Sequence, residues 1–318
     1  MDSAAKLELI KKNVVEIITE DELKHILKTK KKPVIYCGYE PSGPMHIGHF
    51  VTITKLIDFE KAGFEVKVLL ADVHAMLNRK GSVKEIEKEV ENWTKTIRAI
   101  GLHAKVIVGS KFQFDDKYTT DVMALAQKVT INRGLRSMQE IARDVENATI
   151  SQLWYPLMQA ADIKALGCDV ALGGMEQRKV HMIGRELADV INHKFIAVHT
   201  PLITSLKGPG SKMSKSIPGS GISVTDSDKE IETCIKNAYC PAKVAEDNPI
   251  LQIAKLIIFP RIKALKIDRP AKFGGKVTFE SYLGLEKAFV GGELHPMDLK
   301  TAVTQELIKI ISKIRKNF

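Results

Sequence analysis

Two short segments carry side chains suited to handling phosphate, and they lie far apart in the chain. The first is Glu40-Pro41-Ser42-Gly43-Pro44-Met45-His46-Ile47-Gly48-His49. It follows the β-rich run Val34-Ile35-Tyr36-Cys37-Gly38 and opens a helical pattern that reaches Lys61 and stops at Gly63. His46 and His49 therefore stand at a helix N-terminus just past a strand, where unpaired amides and the helix dipole favour an anion. Imidazole N–H groups there can bond phosphate oxygens as charge develops, and Gly48 leaves backbone open to a flat purine. The second segment is Lys212-Met213-Ser214-Lys215-Ser216, within a stretch, 207–221, that holds four glycines, two prolines and four serines. That composition predicts a mobile loop. Two ammonium groups on it suit a transferred polyphosphate, where a catalyst mainly positions and neutralises. Taken singly, HxGH is equally the pattern of two surface histidines, and the lysines that of a solvated basic loop.

A third set sits in apolar surroundings. Tyr155, Gln159 and Asp162 recur at i, i+4 and i+7, hence on one helix face. Leu157, Met158, Ile163 and Leu166 bury the same segment, and Pro156 fits a helix's first turn. Polar groups buried in this way need partners, which a bound amino acid would supply. Gly173-Gly174-Met175-Glu176-Gln177-Arg178-Lys179 then follows directly on another β-rich run.

The elements that must hold these residues alternate. Strands are expected at 34–38, 66–71, 104–108, 169–172 and 195–198. The clearest helix starts at Ser82 with Glu85 three residues on, a capping box, and Gly101 stops it. Its apolar face is Val83, Ile86, Val90, Trp93, Ile97 and Ile100. Strand and helix in alternation imply a Rossmann-like α/β fold, a parallel sheet with helices on both faces, whose ligands bind beyond the strands' carboxyl ends. Helical patterns at 229–237, 249–258 and 299–315 imply a second, α-helical domain. A length of 318 residues exceeds what one core usually holds.

Composition excludes some classes. No apolar run approaches the roughly 20 residues needed to cross a bilayer, and the polar start Met1-Asp2-Ser3-Ala4-Ala5-Lys6 argues against a secretory signal. The cysteines at 37, 168, 234 and 240 form no CxxC pair, so zinc and redox motifs are unsupported and a reducing, cytoplasmic setting fits. The net charge of +10 favours a polyanion partner, nucleic acid above all, although a lysine-rich solvated surface would give the same number.

The strand–HIGH–helix passage and the KMSKS loop, in this order, resemble the two signatures of class I aminoacyl-tRNA synthetases. YPxMQxxDI from Tyr155 and GGMEQRKxHM from Gly173 are further similar to the tyrosyl-tRNA synthetases of archaeal and eukaryotic type, a likeness over nearly the whole chain. The resemblance implies a catalytic domain at 1–205 with a helical connective insertion at about 110–150, the KMSKS loop and linker at 206–221, and an α-helical anticodon-binding domain at 222–318. Tyr36 and Asp162 would bond the tyrosine phenol. Tyr155, Gln159 and Gln177 would hold its α-amino group, with Glu40 in the same pocket. His46, Gly48, His49, Lys212 and Lys215 would handle ATP and its magnesium, with no metal site of the protein's own. Arg136, Arg178 and Lys179 would meet the first base pair of the tRNA(Tyr) acceptor stem, and Phe273, His295 and Asp298 the anticodon. For Phe273 the alternative is a place in the core.

Phenylalanine would strand Tyr36 and Asp162, a discrimination for which tyrosyl enzymes are themselves the known case, so no editing domain is expected. The resemblance implies a homodimer, with the stretch before Tyr155 at the interface. Likeness to the archaeal and eukaryotic type implies that no additional bacterial-type RNA-binding module is expected after 222–318, and residues 257–268 depart from the family pattern. Three rivals remain. Against a tryptophanyl enzyme stands the Asp162–Tyr36 pair, which suits a phenol rather than an indole. Against a nucleotidyltransferase with HxGH alone stand the KMSKS loop and helical C-terminal region. Against a non-catalytic RNA binder stand both intact signatures.

Overall fold

A computed structural model describes residues 1–139, 141, 147–210, 213 and 217–317. In chain order they form α1 (Ser3–Lys11), β1 (Glu16–Ile18), α2 (Glu20–Thr29), β2 (Val34–Tyr39), α3 (Phe50–Lys61), β3 (Glu65–Leu70), α4 (Asp72–Leu77), α5 (Val83–Ile100) and β4 (Lys105–Val108). Then come α6 (Asp116–Ala126), α7 (Ile131–Met138), α8 (Ile150–Ala165), β5 (Val170–Gly174), α9 (Arg178–Glu186), α10 (Ala188–Ile191) and β6 (Ile196–Thr200). The remainder is α11 (Asp228–Asn237), α12 (Pro249–Ile253), β7 (Leu265–Ile267), β8 (Val277–Phe279), α13 (Tyr282–Gly291) and α14 (Pro296–Arg315). Two compact units result: Met1–Gly43 with Lys55–Pro201, and Pro44–Thr54 with Leu202–Phe318.

The first unit is built on a six-stranded sheet in the order β1-β6-β5-β2-β3-β4, parallel except for β1, which runs antiparallel to β6. Every residue of β5 and β6 is buried, as helices on both faces require of central parallel strands. Helix α5 has the expected ends: Ser82 and Glu85 form the capping box and Gly101 closes it in the left-handed region at φ 88°. Trp93 on its buried face donates Nε1–H to Gly43 O at 2.8 Å, which fixes the turn leaving β2. Buried Lys55 of α3 donates to Ile10 O at 3.0 Å and pairs with Asp58 at 2.9 Å, capping the end of α1.

Two local expectations need correction, and one strand was not foreseen. Pro156 lies inside α8 rather than in its first turn, because the helix is already started by Thr149, whose N–H donates to Gln152 Oε1 at 2.9 Å. Strand β1 has only three residues, too few to show alternation, and owes its conformation to pairing with β6. The second unit is helical apart from an antiparallel pair, β7 with β8, where Leu265 faces Phe279 and Ile267 faces Val277. The helical pattern 249–258 is α12 continued by a wider π-turn, Ala254–Ile258. Among the described residues no helix is long and apolar enough to cross a membrane.

Candidate active site

The strand order reverses at β2, which has β3 on one side and β5 on the other, the position where open sheets of this kind bind ligands. Tyr36 lies within β2, Glu40 just past its end, and Gln177 in the short turn Met175–Gln177 after β5. Helix α8 supplies buried Tyr155, Gln159 and Asp162. All six belong to the first unit.

Asp162 is fully buried. Its Oδ1 accepts from Gln113 Nε2 at 2.7 Å and from Tyr118 Oη at 2.8 Å. Its Oδ2 has no hydrogen-bond partner among the described residues and stands 3.5 Å from His74 Nε2. Burial pushes the carboxyl up to about 7, against the stabilising donors Gln113 and Tyr118. Burial also holds His74 down to about 4, so its imidazole is neutral. The Tyr36 phenol is raised by burial and then by the charge of Asp162, which keeps it a hydrogen-bond donor. One carboxylate oxygen thus remains without a proton to accept.

The other end of the pocket has matching chemistry. Burial and the Glu40 carboxylate raise the Tyr155 hydroxyl. Glu40 is held by Lys80 at 3.0 Å and by Asn78 Nδ2 at 3.3 Å. Gln177 Oε1 is buried without a partner among the described residues, and Gln159 Nε2 contacts His181 Nε2 at 3.1 Å. Amide oxygens and a carboxylate suit an ammonium; the Asp162 oxygen suits a hydroxyl hydrogen. Sequence reasoning missed Gln113, Tyr118 and His74. They come from residues before and inside α6 and from α4, and no spacing links them to α8; only a lone glutamine between Phe112 and Phe114 hinted at a buried polar role.

The phosphate signatures lie in the second unit. His46 Nδ1 accepts from Gly48 N–H, and His49 Nδ1 accepts from His46 N–H, both at 3.2 Å. With Nδ1 accepting, the proton of each ring belongs on Nε2. A Cβ on Gly48 would stand 2.8 Å from the His46 ring, so glycine is what lets the imidazole fold over its own turn. Residues 45–47 pair with 222–224: Ile47 N–H donates to Ile222 O and Val224 N–H to Met45 O, each at 2.9 Å. Met213 is buried, donates to Ile203 O at 2.9 Å, and has its Cβ within 3.9 Å of a Cβ built on Gly48. Met213 of the second signature therefore abuts Gly48 of the first. Lys212 and Lys215 lie outside the described residues.

Arg136 on α7 and Arg178 and Lys179 on α9 are exposed. The two helices are tied by an Arg133–Glu186 ion pair and by Lys179 Nζ donating to Gln139 Oε1 at 3.3 Å. In the second unit Phe273 is 59% exposed beneath the Lys272 ammonium, 4.9 Å from the ring centroid, so it is no core residue. His295 caps α14 by accepting from Met297 N–H at 3.2 Å, and Asp298 lies in that helix's first turn. Arg269, which the sequence did not single out, donates to Gly275 O at 3.0 Å and to Glu293 O at 2.7 Å. It fastens the Phe273 turn to the segment bearing His295.

The description of the tRNA synthetases of class I (W and Y) matches residues 28–312. The chain is 51% identical over 312 residues to a tyrosine–tRNA ligase of Methanocaldococcus jannaschii, covering 98% of this chain and 99% of that one. Its structure is similar to that of Archaeoglobus fulgidus tyrosyl-tRNA synthetase complexed with L-tyrosine, with a TM-score of 0.96, 46% identity and 99% of each chain covered. It is similar also to the tyrosyl-tRNA synthetase of Aeropyrum pernix, with a TM-score of 0.91, 38% identity, and 100% and 95% covered.

Proposed function

Because this chain belongs to the class I tRNA synthetases (W and Y), and within them to the tyrosine–tRNA ligases, we propose residue roles for the reaction that membership carries: ATP-dependent joining of tyrosine to its tRNA. The observation that carries the tyrosine pocket is Asp162, buried in full, with Oδ2 lacking a partner among the described residues and with its charge raising the Tyr36 phenol. A substrate phenol donates to Asp162 Oδ2 and accepts from Tyr36. Tyr155, Gln159 and Gln177 receive the α-ammonium, with the Glu40 carboxylate adding attraction.

Two steps follow. A tyrosine carboxylate oxygen attacks the α-phosphorus of ATP, the bond to the β-phosphate oxygen breaks, and pyrophosphate leaves. A terminal ribose hydroxyl of the tRNA then attacks the adenylate carbonyl carbon, and AMP leaves. His46 and His49 donate Nε2–H to phosphate oxygens, Gly48 keeps that turn open to the nucleotide, and Lys212 and Lys215 supply positive charge. Magnesium enters with ATP; among the described residues no group of three His, Cys, Asp or Glu could hold a metal ion. Neither step calls for a strong base, so orientation and charge stabilisation dominate.

The tRNA reading rests on exposed charge and one exposed ring. Arg136, Arg178 and Lys179 meet the acceptor stem, while Phe273 stacks on an unpaired anticodon base and Asp298 accepts from guanine, with His295 beside it. The proposed setting is the cytoplasm. A second copy covers the apolar groove of about 460 Å³ in the first unit, lined by Val73, Met76, Phe114, Tyr118, Ile150 and Trp154 among others. Phe114 and Ile150 are 66% and 75% exposed, which supports a protein partner there. Labelled tyrosine, ATP and unfractionated tRNA test the reading: tRNA(Tyr) alone becomes charged. Charging with tryptophan, or of another tRNA, would overturn it.

A further inference from the structure

A buried chain of polar groups leads away from the pocket. Gln159 Nε2 lies 3.1 Å from His181 Nε2, and His181 Nδ1 lies 2.9 Å from His199 Nε2. Glu16 Oε1 stands 2.9 Å from His199 Nδ1, a close charge contact in which Nδ1 has no aligned hydrogen-bond partner among the described residues, and accepts from Arg178 Nε at 2.6 Å. The sheet register builds this row. Glu16 of β1 is opposite His199 of β6, which is opposite Gly173 of β5. A Cβ on Gly173 would stand 2.7 Å from Gln177 Cβ and 3.2 Å from His181 Cε1, so the glycine leaves room first for Gln177 and then for the ring that α9 lowers onto the sheet.

We propose that Glu16, His199 and His181 act as positioning residues, a one-way hydrogen-bond relay that orients the Gln159 amide for the amino-acid ammonium. Glu16 sets the direction. Its carboxylate has only lone pairs to offer, so the facing His199 Nδ1 must carry the proton. His199 Nε2 is then an acceptor, which places the His181 proton on Nδ1. His181 Nε2 is an acceptor in turn, and its partner must be a donor. Gln159 therefore turns its NH₂ to His181 and its Oε1 to the pocket. A reversed amide would present hydrogens to an ammonium, a repulsive contact. Burial disfavours the charged form of both imidazoles, and a relay with one lone pair per ring needs them neutral.

The role rests on the assignment of Gln159 to the ammonium, and the experiment separates the two. In the full chain labelled with ¹⁵N-histidine, side-chain spectra of the parent, His181→Gln and His199→Gln assign the two rings. Both should be neutral with the proton on Nδ1, the minority tautomer of free histidine. A proton on Nε2 of either ring overturns the relay. Binding of tyrosine and of 3-(4-hydroxyphenyl)propanoate, which lacks the amino group, is then measured in the parent, Gln159→Ala, His181→Leu and Glu16→Ala. His181→Leu should weaken tyrosine roughly tenfold or more, the loss of one bond to a charged group, and leave the des-amino analogue almost unchanged. Glu16→Ala should do the same to a smaller degree, a readout that survives if His181→Leu fails to fold. Equal loss for both ligands, or none, overturns the relay. If Gln159→Ala itself spares the preference for tyrosine, the ammonium assignment falls instead, whatever the tautomers.

Discussion

Replacing Asp162 with asparagine keeps the side-chain volume, removes one charge and turns one acceptor into a donor. Gln113 Nε2 and Tyr118 Oη both donate to Oδ1, so the new carbonyl oxygen must stay there. The new NH₂ then takes the place of Oδ2, facing the substrate hydroxyl. The phenol loses a charge-assisted bond, about 1.5–3 kcal/mol, and its hydrogen is left buried and unpaired, at a further cost of about 1–3 kcal/mol. A total of about 2.5–6 kcal/mol lowers kcat/KM for tyrosine by roughly 10²–10⁴. Phenylalanine has no hydroxyl to strand, so its kcat/KM should hold or rise, and the tyrosine-to-phenylalanine ratio should fall by the same factor. Steady-state pyrophosphate exchange on both substrates measures this, with a thermal melt of each protein to establish that the variant is folded. An unchanged ratio in a folded variant would refute the role given to Asp162.

The same carboxyl predicts a pH dependence. Burial favours its protonated form and raises it to about 7, whereas the phenol needs Oδ2 ionised. Tyrosine affinity should be full above about 7 and fall as pH drops below it, approaching roughly tenfold per unit, while Asp162→Asn should be flat in isothermal titration. His74, held to about 4, stays neutral through that window and adds no slope. Asp298→Ala should reduce tRNA charging roughly tenfold or more and leave pyrophosphate exchange within about twofold; equal losses would remove the anticodon role. Lys55→Met should lower stability by about 3–5 kcal/mol in urea titration, because it leaves Asp58 and the last carbonyls of α1 without their buried cation. A loss under about 1 kcal/mol would show those groups rehydrate freely.

Local signals in the sequence were legible wherever a few neighbouring residues decide the structure. Ser82, Glu85 and Gly101 mark the ends of α5 because caps are local, and the parallel strands show as apolar runs because both faces are buried. Tyr155, Gln159 and Asp162 could be read together because one helix carries all three. What stayed hidden depends on contacts between distant segments. Gln113 and Tyr118 reach Asp162 across more than forty residues and complete its environment only in the folded chain. His199 is an ordinary residue in an apolar run until the register sets Glu16 opposite it. Pro156 misled because its usual place is a first turn, and the actual start at Thr149 uses a glutamine cap three residues on. Phe273 looked suited to a core as well as to a surface; its exposure comes from a turn ending in Gly274, at φ 97°, and held by Arg269.

The account's central claim is that one buried carboxylate and one buried phenol choose tyrosine for a class I activation reaction. ATP–pyrophosphate exchange with each of the twenty amino acids in turn tests this most directly. Tyrosine alone should support exchange well above background, with phenylalanine and tryptophan near it. Exchange driven by tryptophan, by phenylalanine at a rate comparable to tyrosine, or by no amino acid would contradict the account.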